Sequence, residues 1–266
     1  EEGLITEGQQ VRVAGWPSTR RTRHMHVNHV LLPNSVELLV GGTRDLRWSE
    51  TGLGTESWMG IAASTDTPLP TGAGDAEDIF RVWTRETGAW YFRDNSEYPL
   101  TEAAALARGD WNEYEDSPLL DCTPPGMPVV MGNPYPMQFV KVDGDMELRF
   151  EEFDVVRTIH LGDAANDSDI APSPLGYSAG HWEKNSLVVN TNKINWPYFN
   201  RVGVPQSEAV ELVELFTVTT VGDTTRLDYQ LTVTDPATLT EPYVWNAYYG
   251  VRPGEVVEKY ECTLDE

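Results

Sequence analysis

The sequence predicts a mainly β protein, an antiparallel β-barrel or strongly curved sheet accompanied by one short helix. Three observations carry that reading. PMQFVKVDGDMELRF places Asp143-Gly144 between two alternating apolar/polar runs, the turn chemistry that joins antiparallel strands. Further runs follow at short, regular spacing, with turns at Lys184-Asn185 and Gly222-Asp223, a spacing suited to an up-and-down barrel. Only one stretch, LTEAAALARGDW, carries a clear helix signature, with Thr101 as N-cap and Gly109 as stop.

The elements divide the chain into three parts. Residues 1–44 read as strands: GQQVRVAGW alternates, Pro17 to Arg23 form a basic turn, and MHVNHVLLPNSVELLVGG makes a hairpin around Pro33-Asn34-Ser35. Two or three strands rarely fold alone, so they are expected to join another sheet or to continue strands that precede the sequence. Residues 45–120 are irregular and contain Trp48, Trp58, Trp83, Trp90 and Trp111. They read as a segment that wraps a sheet through its aromatics, with DIFRVWTR as one strand and the helix near 101–108. Residues 121–266 form the barrel-like domain, from PMQFVKV through PYVWNAYYG to a closing EVVEKYECT. SEAVELVELF is ambiguous, because Ala209, Val210, Val213 and Phe216 also share one helical face.

Composition restricts the function. At 266 residues the chain can bury a sizeable core. A net charge of -23 argues against nucleic acid, whose phosphates need Lys and Arg, and against anionic membrane surfaces. No apolar run approaches the roughly 18 residues of a membrane-spanning helix. The sequence starts without Met or a signal peptide, so it is expected to begin after processing or inside a longer chain.

The two cysteines lie at element ends, Cys122 in DCTPPGMP and Cys262 in KYECTLDE. A disulfide between them would close a loop of about 140 residues and place the protein in a periplasm or outside the cell. The alternative is a pair of free thiols in a reducing compartment.

The most informative run is FEEFDVVRTIHLGD, residues 150–163, an apolar strand crowded with ionisable groups. Met146, Leu148 and Phe150 share one face, and after Glu151-Glu152 the apolar phase moves to Phe153, Val155 and Ile159. A slip of one residue within a strand is the pattern of a β-bulge, which re-aims side chains. Before the slip, Glu152, Asp154 and His160 share the apolar face; after it, Arg157 does. Two explanations follow. The inner face lines a polar pocket, or it holds a structural Arg157–carboxylate pair, since a buried charge needs a partner.

LGYSAGHWEKNSLVV adds Tyr177, His181 and Trp182 beside Gly176 and Gly180, rings that stack on a ligand or pack structurally. The candidate ligand-binding set is therefore Glu152, Asp154, Arg157, His160, Tyr177, His181 and Trp182. RTRHMHVNH puts His24 and His26 on one strand face and His29 on the other, without a nearby Cys or Asp, so no metal site is assigned. With Arg20, Arg21 and Arg23 this patch reads as a solvated edge or a contact for an acidic neighbour. DAANDSDIAP is acidic but lacks the glycine and terminal Glu of a calcium loop. Ser178, Ser207, His160 and His181 are the residue types of a catalytic triad, but the serine of GYSAG precedes a strand rather than a helix. No phosphate loop, dinucleotide fingerprint or H-E-x-x-H occurs, and no cofactor is expected.

Taken together, DIFRVW, LTEAAALA, C-x-P-P-G-M-P, NPYPMQFV, LRFEEFDVVRTIH, GYSAGHWE-x-x-SLVV-x-T, PQSEAVE and TVTDPATLTEP resemble an uncharacterised family of secreted or periplasmic proteins of Gram-negative bacteria. The resemblance covers roughly residues 78–264. It implies an exported β-rich protein, a cysteine pair, and an OB-like N-terminal domain, of which GQQVRVAGWP and MHVNHVLLPNSVELLV look like the last strands. It implies no reaction and no catalytic residues; many relatives carry His where this chain has Gln206.

The leading functional expectation is an exported barrel-like protein that binds a small apolar or aromatic ligand in a pocket. One alternative is a structural subunit of an extracellular or periplasmic assembly, with a protein partner or further copies of the chain. The other is a hydrolase or lyase that uses a carboxylate with His160 or His181 as acid and base.

Overall fold

The computed structural model describes residues 5–6, 8–17, 25–39, 46–53, 79–85, 98–112, 115–133, 135–162, 170–221, 224–251 and 254–262. The chain divides into two compact units, Glu1–Ala62 and Ala63–Glu266.

The first unit is a four-stranded sheet in the order β1-β2-β3-β4. Strands β1 (Arg12–Pro17) and β2 (Met25–Leu31) pair antiparallel, with a register shift between Ala14 and Gly15. Strand β3 (Glu37–Leu39) pairs antiparallel with β2 through the expected turn, where Ser35 adopts φ +64° and Leu32 N–H donates to Val36 O. Strand β4 (Gly52–Leu53) lies parallel to β3. The basic turn, His24 and the His26 side chain lie outside the described residues.

The second unit is a closed nine-stranded barrel in the order β10-β11-β12-β13-β5-β6-β7-β8-β9. Its strands are β5 (Val82–Arg85), β6 (Met137–Val142), β7 (Asp145–Phe150), β8 (Val156–Leu161) and β9 (Tyr177–Glu183). The series continues with β10 (Ser186–Asn192), β11 (Glu211–Val221), β12 (Thr224–Thr234) and β13 (Tyr243–Gly250). A ring of nine strands cannot alternate direction throughout, so at least one neighbouring pair must be parallel. That pair is β8–β9, with Ile159 opposite Ser178.

Local chemistry explains the hairpins. Asp143 and Gly144 adopt φ +47° and +94° between β6 and β7, and Lys184 adopts +57° between β9 and β10. Gly222 and Asp223 lie outside the described residues, although β11 and β12 pair up to Val221 and Thr224. SEAVELVELF resolves as strand from Glu211 onward. Helix α1 (Glu102–Asp110) starts where Thr101 accepts from Ala104 N–H. It runs through Gly109 to a cap at Trp111, past the expected stop.

Two expectations for the second unit are corrected. The phase slip at residues 151–155 is not a bulge but the connection between β7 and β8, a 3-10 turn at Glu152–Asp154. Phe153 and Asp154 adopt φ +57° and +51° there, backbone that no strand continues through. Residues 255–262 of the EVVEKYECT tail do not form a strand either. Its backbone is held by side chains: Glu258 N–H donates to the Glu151 carboxylate and Tyr260 N–H to that of Asp154.

Buried residues alternate with more exposed ones along β6, β7, β8 and β10. Met137, Phe139, Leu148, Phe150, Val189, Phe216, Leu227 and Tyr229 belong to one continuous core. Met137, Phe150, Tyr177, Asn192, Glu211, Thr234 and Tyr243 mark one end of the barrel by register. A 3-10 turn at Val129–Gly132 is wholly buried in the core, and Tyr249 donates its hydroxyl to Met131 O at 2.9 Å.

Candidate functional site

Strand alternation puts Arg157 on the inner face of β8, where it is 1% exposed. All five of its N–H groups are engaged. Nη1 lies 3.0 Å from Glu214 Oε1 and 3.9 Å from Met131 Sδ, and Nη2 contacts Glu214 Oε2 and Thr191 Oγ1, the latter at 2.7 Å. Nε donates to Ser178 Oγ at 3.0 Å, and Ser178 and Thr191 lie 3.0 Å apart. Glu214, 0% exposed on β11, also accepts from Tyr229 OH at 2.9 Å. Burial and then the Glu214 charge push the Tyr229 phenol well above its ordinary range, so it stays a donor. The Tyr249 phenol moves the same way for the same two reasons.

The remaining charges of the run each hold another segment. Glu152, 3% exposed, pairs with Arg201, whereas Asp154 faces solvent and anchors the tail. Tyr260 from that tail lies against Tyr135 and Phe153, at ring distances of 5.4 and 4.9 Å. The tail ends at Cys262, within disulfide-bonding distance of Cys122, with their Cα atoms 5.9 Å apart. His160 is on the outer wall: its Nδ1 lies 2.8 Å from Asp145 Oδ2, and its ring stacks on Tyr177 at 5.0 Å. The Leu161 N–H and then His160 hold the Asp145 carboxyl below its usual range.

His181 and Trp182 sit toward the far end of β9 from Tyr177, both exposed, with His181 3.1 Å from the exposed Glu183. The seven predicted site residues are therefore distributed over the interior, both ends and the outer wall. They do not converge on one pocket.

A cleft forms elsewhere, at the end where β13 begins. Tyr98, Phe199, Tyr243 and Trp245 surround it together with Pro128, Val129, Gly132 and Asn200. It contains about 300 Å³ of empty space counted out to its open mouth, of which only a water-sized part is fully enclosed. The rings brace one another: Tyr98 lies 4.9 Å from Tyr243 and 5.6 Å from Phe199, and Phe199 lies 5.5 Å from Tyr243. Asn200 is fixed from both ends of its amide. It donates to Tyr98 OH at 3.0 Å, and its oxygen accepts from the N–H groups of Val202 and Val204. Sequence reasoning did not single out these residues, because nothing in local pattern joins Tyr98 to Phe199 and Trp245.

The first unit contains its own buried carboxylate. Glu37, 0% exposed, accepts from the N–H groups of Arg47, Trp48 and Ser49 and lies 2.7 Å from His29 Nδ1. Burial alone would raise its pKa, but the Trp48 and Arg47 amides, His29 and the Ser49 amide bring it down from 4.5 to about 2. Trp48 is covered by the Arg12 guanidinium at 4.6 Å.

Among the described residues no group of three or more His, Cys, Asp or Glu is placed to hold a metal. None of their helices is long and apolar enough to cross a membrane. No family model, curated protein or solved structure matches the chain.

Proposed function

We propose that the barrel unit is an exported binding module that takes a small apolar or aromatic ligand in the aromatic cleft. The convergence of Tyr98, Phe199, Tyr243 and Trp245 around one opening carries this reading. Apolar walls with a few fixed polar groups are the usual make-up of small-molecule sites. The ligand is assigned to the cleft rather than to the charged strand because the ionic groups of that strand already have protein partners. The Cys122–Cys262 distance supports export, since disulfides persist in oxidising compartments. The hydrolase or lyase alternative would rest on the His160–Asp145 pair, which does not line the aromatic cleft.

Calorimetric titration of the full chain with ethylbenzene tests the reading. Saturable binding is expected, weakened about tenfold by Phe199→Ser through lost apolar contact and unchanged by His181→Ala. Non-saturable partitioning, or affinity indifferent to Phe199, refutes it.

A further inference from the structure

We infer that the ligand of the aromatic cleft ends in a methylated ammonium head, a cation of the choline type that lies against the rings. The inference rests on the binding reading above and narrows its ligand. Only a water-sized part of the cleft is fully enclosed, so the cleft grips one compact end of a molecule and leaves the remainder in its open mouth.

Hydrogen bonding narrows the class first. The one side-chain amide of the lining, Asn200, is used at both ends: it donates to Tyr98 OH and accepts from the Val202 and Val204 N–H groups. The rest of the lining is mostly ring and aliphatic surface. A primary ammonium would bring N–H groups that lose water on entry and need acceptors, and a carboxylate would need donors. A quaternary ammonium has a charge but no N–H, so it asks for no hydrogen bond.

Charge then decides between a methylated cation and a neutral hydrocarbon of the same shape. The face of an aromatic ring carries negative partial charge and attracts a cation, most strongly where water is excluded. Phe199 stands at 76° to Tyr98 and 88° to Tyr243, so the rings turn their faces in different directions. Among the described residues that line the cleft none carries a charge, so nothing in the lining repels a cation. The chain's net charge of -23 draws cations toward it and opposes anions.

The rings are in place before a ligand arrives. Tyr98 and Tyr243 are both buried and lie 4.9 Å apart, and Asn200 holds the Tyr98 hydroxyl at 3.0 Å. Ordering these walls therefore costs little on binding.

Calorimetric titration of the full chain at fixed ionic strength compares three probes. They are choline, its uncharged analogue with tert-butyl in place of trimethylammonium, and ethanolamine, which has the charge without the methyl groups. Choline is expected to bind about tenfold tighter than either of the others. Phe199→Leu keeps apolar bulk but removes the ring, so it should weaken choline clearly more than the tert-butyl analogue. Should Phe199→Leu fail to fold, Trp245→Leu makes the same comparison, since both side chains are half-buried.

Choline no tighter than its tert-butyl analogue, with ethylbenzene still saturating, overturns the cationic head and leaves the binding reading standing. Ethanolamine as tight as choline also overturns it, by assigning the attraction to surface carboxylates. A choline preference that survives the ring substitution overturns the placement in the cleft. Absence of saturable binding by choline, its analogue and ethylbenzene overturns both readings.

Discussion

Arg157 Nη1 and Glu214 Oε1 lie 3.0 Å apart inside the barrel, although 57 residues separate them in the chain. The pair ties β8 to β11 across the interior, and Ser178, Thr191 and Tyr229 add hydrogen bonds from three further strands. Low exposure makes each charge expensive alone, and the near-complete hydrogen bonding makes the two tolerable together. The buried Arg157 charge on β8 is in this way satisfied by another strand of the same barrel.

Removing one partner should therefore cost more than removing both. Arg157→Met or Glu214→Leu alone is expected to destabilise the barrel by roughly 3–5 kcal/mol, because each leaves an uncompensated buried charge. The double substitution should cost clearly less than the sum of the singles, with a remainder from the orphaned Tyr229 hydroxyl. Urea unfolding followed by tryptophan fluorescence measures the coupling. Additive losses would show that the two side chains act independently.

Glu37 sets an acid limit on the first unit. Its folded pKa, about 2, lies below the ordinary 4.5, so the carboxylate contributes stability that is fully present above about pH 4.5. That contribution should fall as the pH drops from about 4.5 toward about 2, where the folded group takes up its proton. Glu37→Gln should remove this acid-dependent slope and lower stability at pH 7, since a neutral amide accepts more weakly from the Arg47, Trp48 and Ser49 amides. Amide exchange at Trp48 and Ser49 between pH 2 and 6 reads both effects. An unchanged slope in the variant would assign the acid sensitivity to other carboxylates.

The turn at Asp143-Gly144 and the cap at Thr101 were legible because each is local chemistry: two positive φ angles, and one hydroxyl facing an N–H three residues on. The buried charge of Arg157 was legible from alternation, but its partner was hidden by the ambiguity of SEAVELVELF. Read as a strand, that stretch places Glu214 in one row with Leu212 and Phe216. The β7–β8 turn was not legible, because Phe153 and Val155 continue an apolar rhythm through a backbone that reverses. The cleft was not legible either, since it draws Tyr98, Gly132, Phe199 and Trp245 from four separate parts of the chain. A tail held by carboxylates rather than by a strand ladder leaves no periodic trace.

The tail supplies the last prediction. Three kinds of contact hold it across the β7–β8 turn: the Glu151 and Asp154 carboxylates on its amides, Tyr260 between Tyr135 and Phe153, and the cysteine pair. Both carboxylate bonds are solvent-exposed, so each is worth little once water competes. The covalent link is then the dominant restraint, closing a loop of 140 residues. Replacing both cysteines with Ser should cost roughly 2–5 kcal/mol. That cost falls on the whole fold, so hydrogen exchange should speed at Leu187 and Phe216, which are 0% exposed in the barrel, as well as at the Glu258 and Tyr260 amides. Exchange that rises at Glu258 and Tyr260 alone would mean that the link restrains only the tail and not the barrel as a whole.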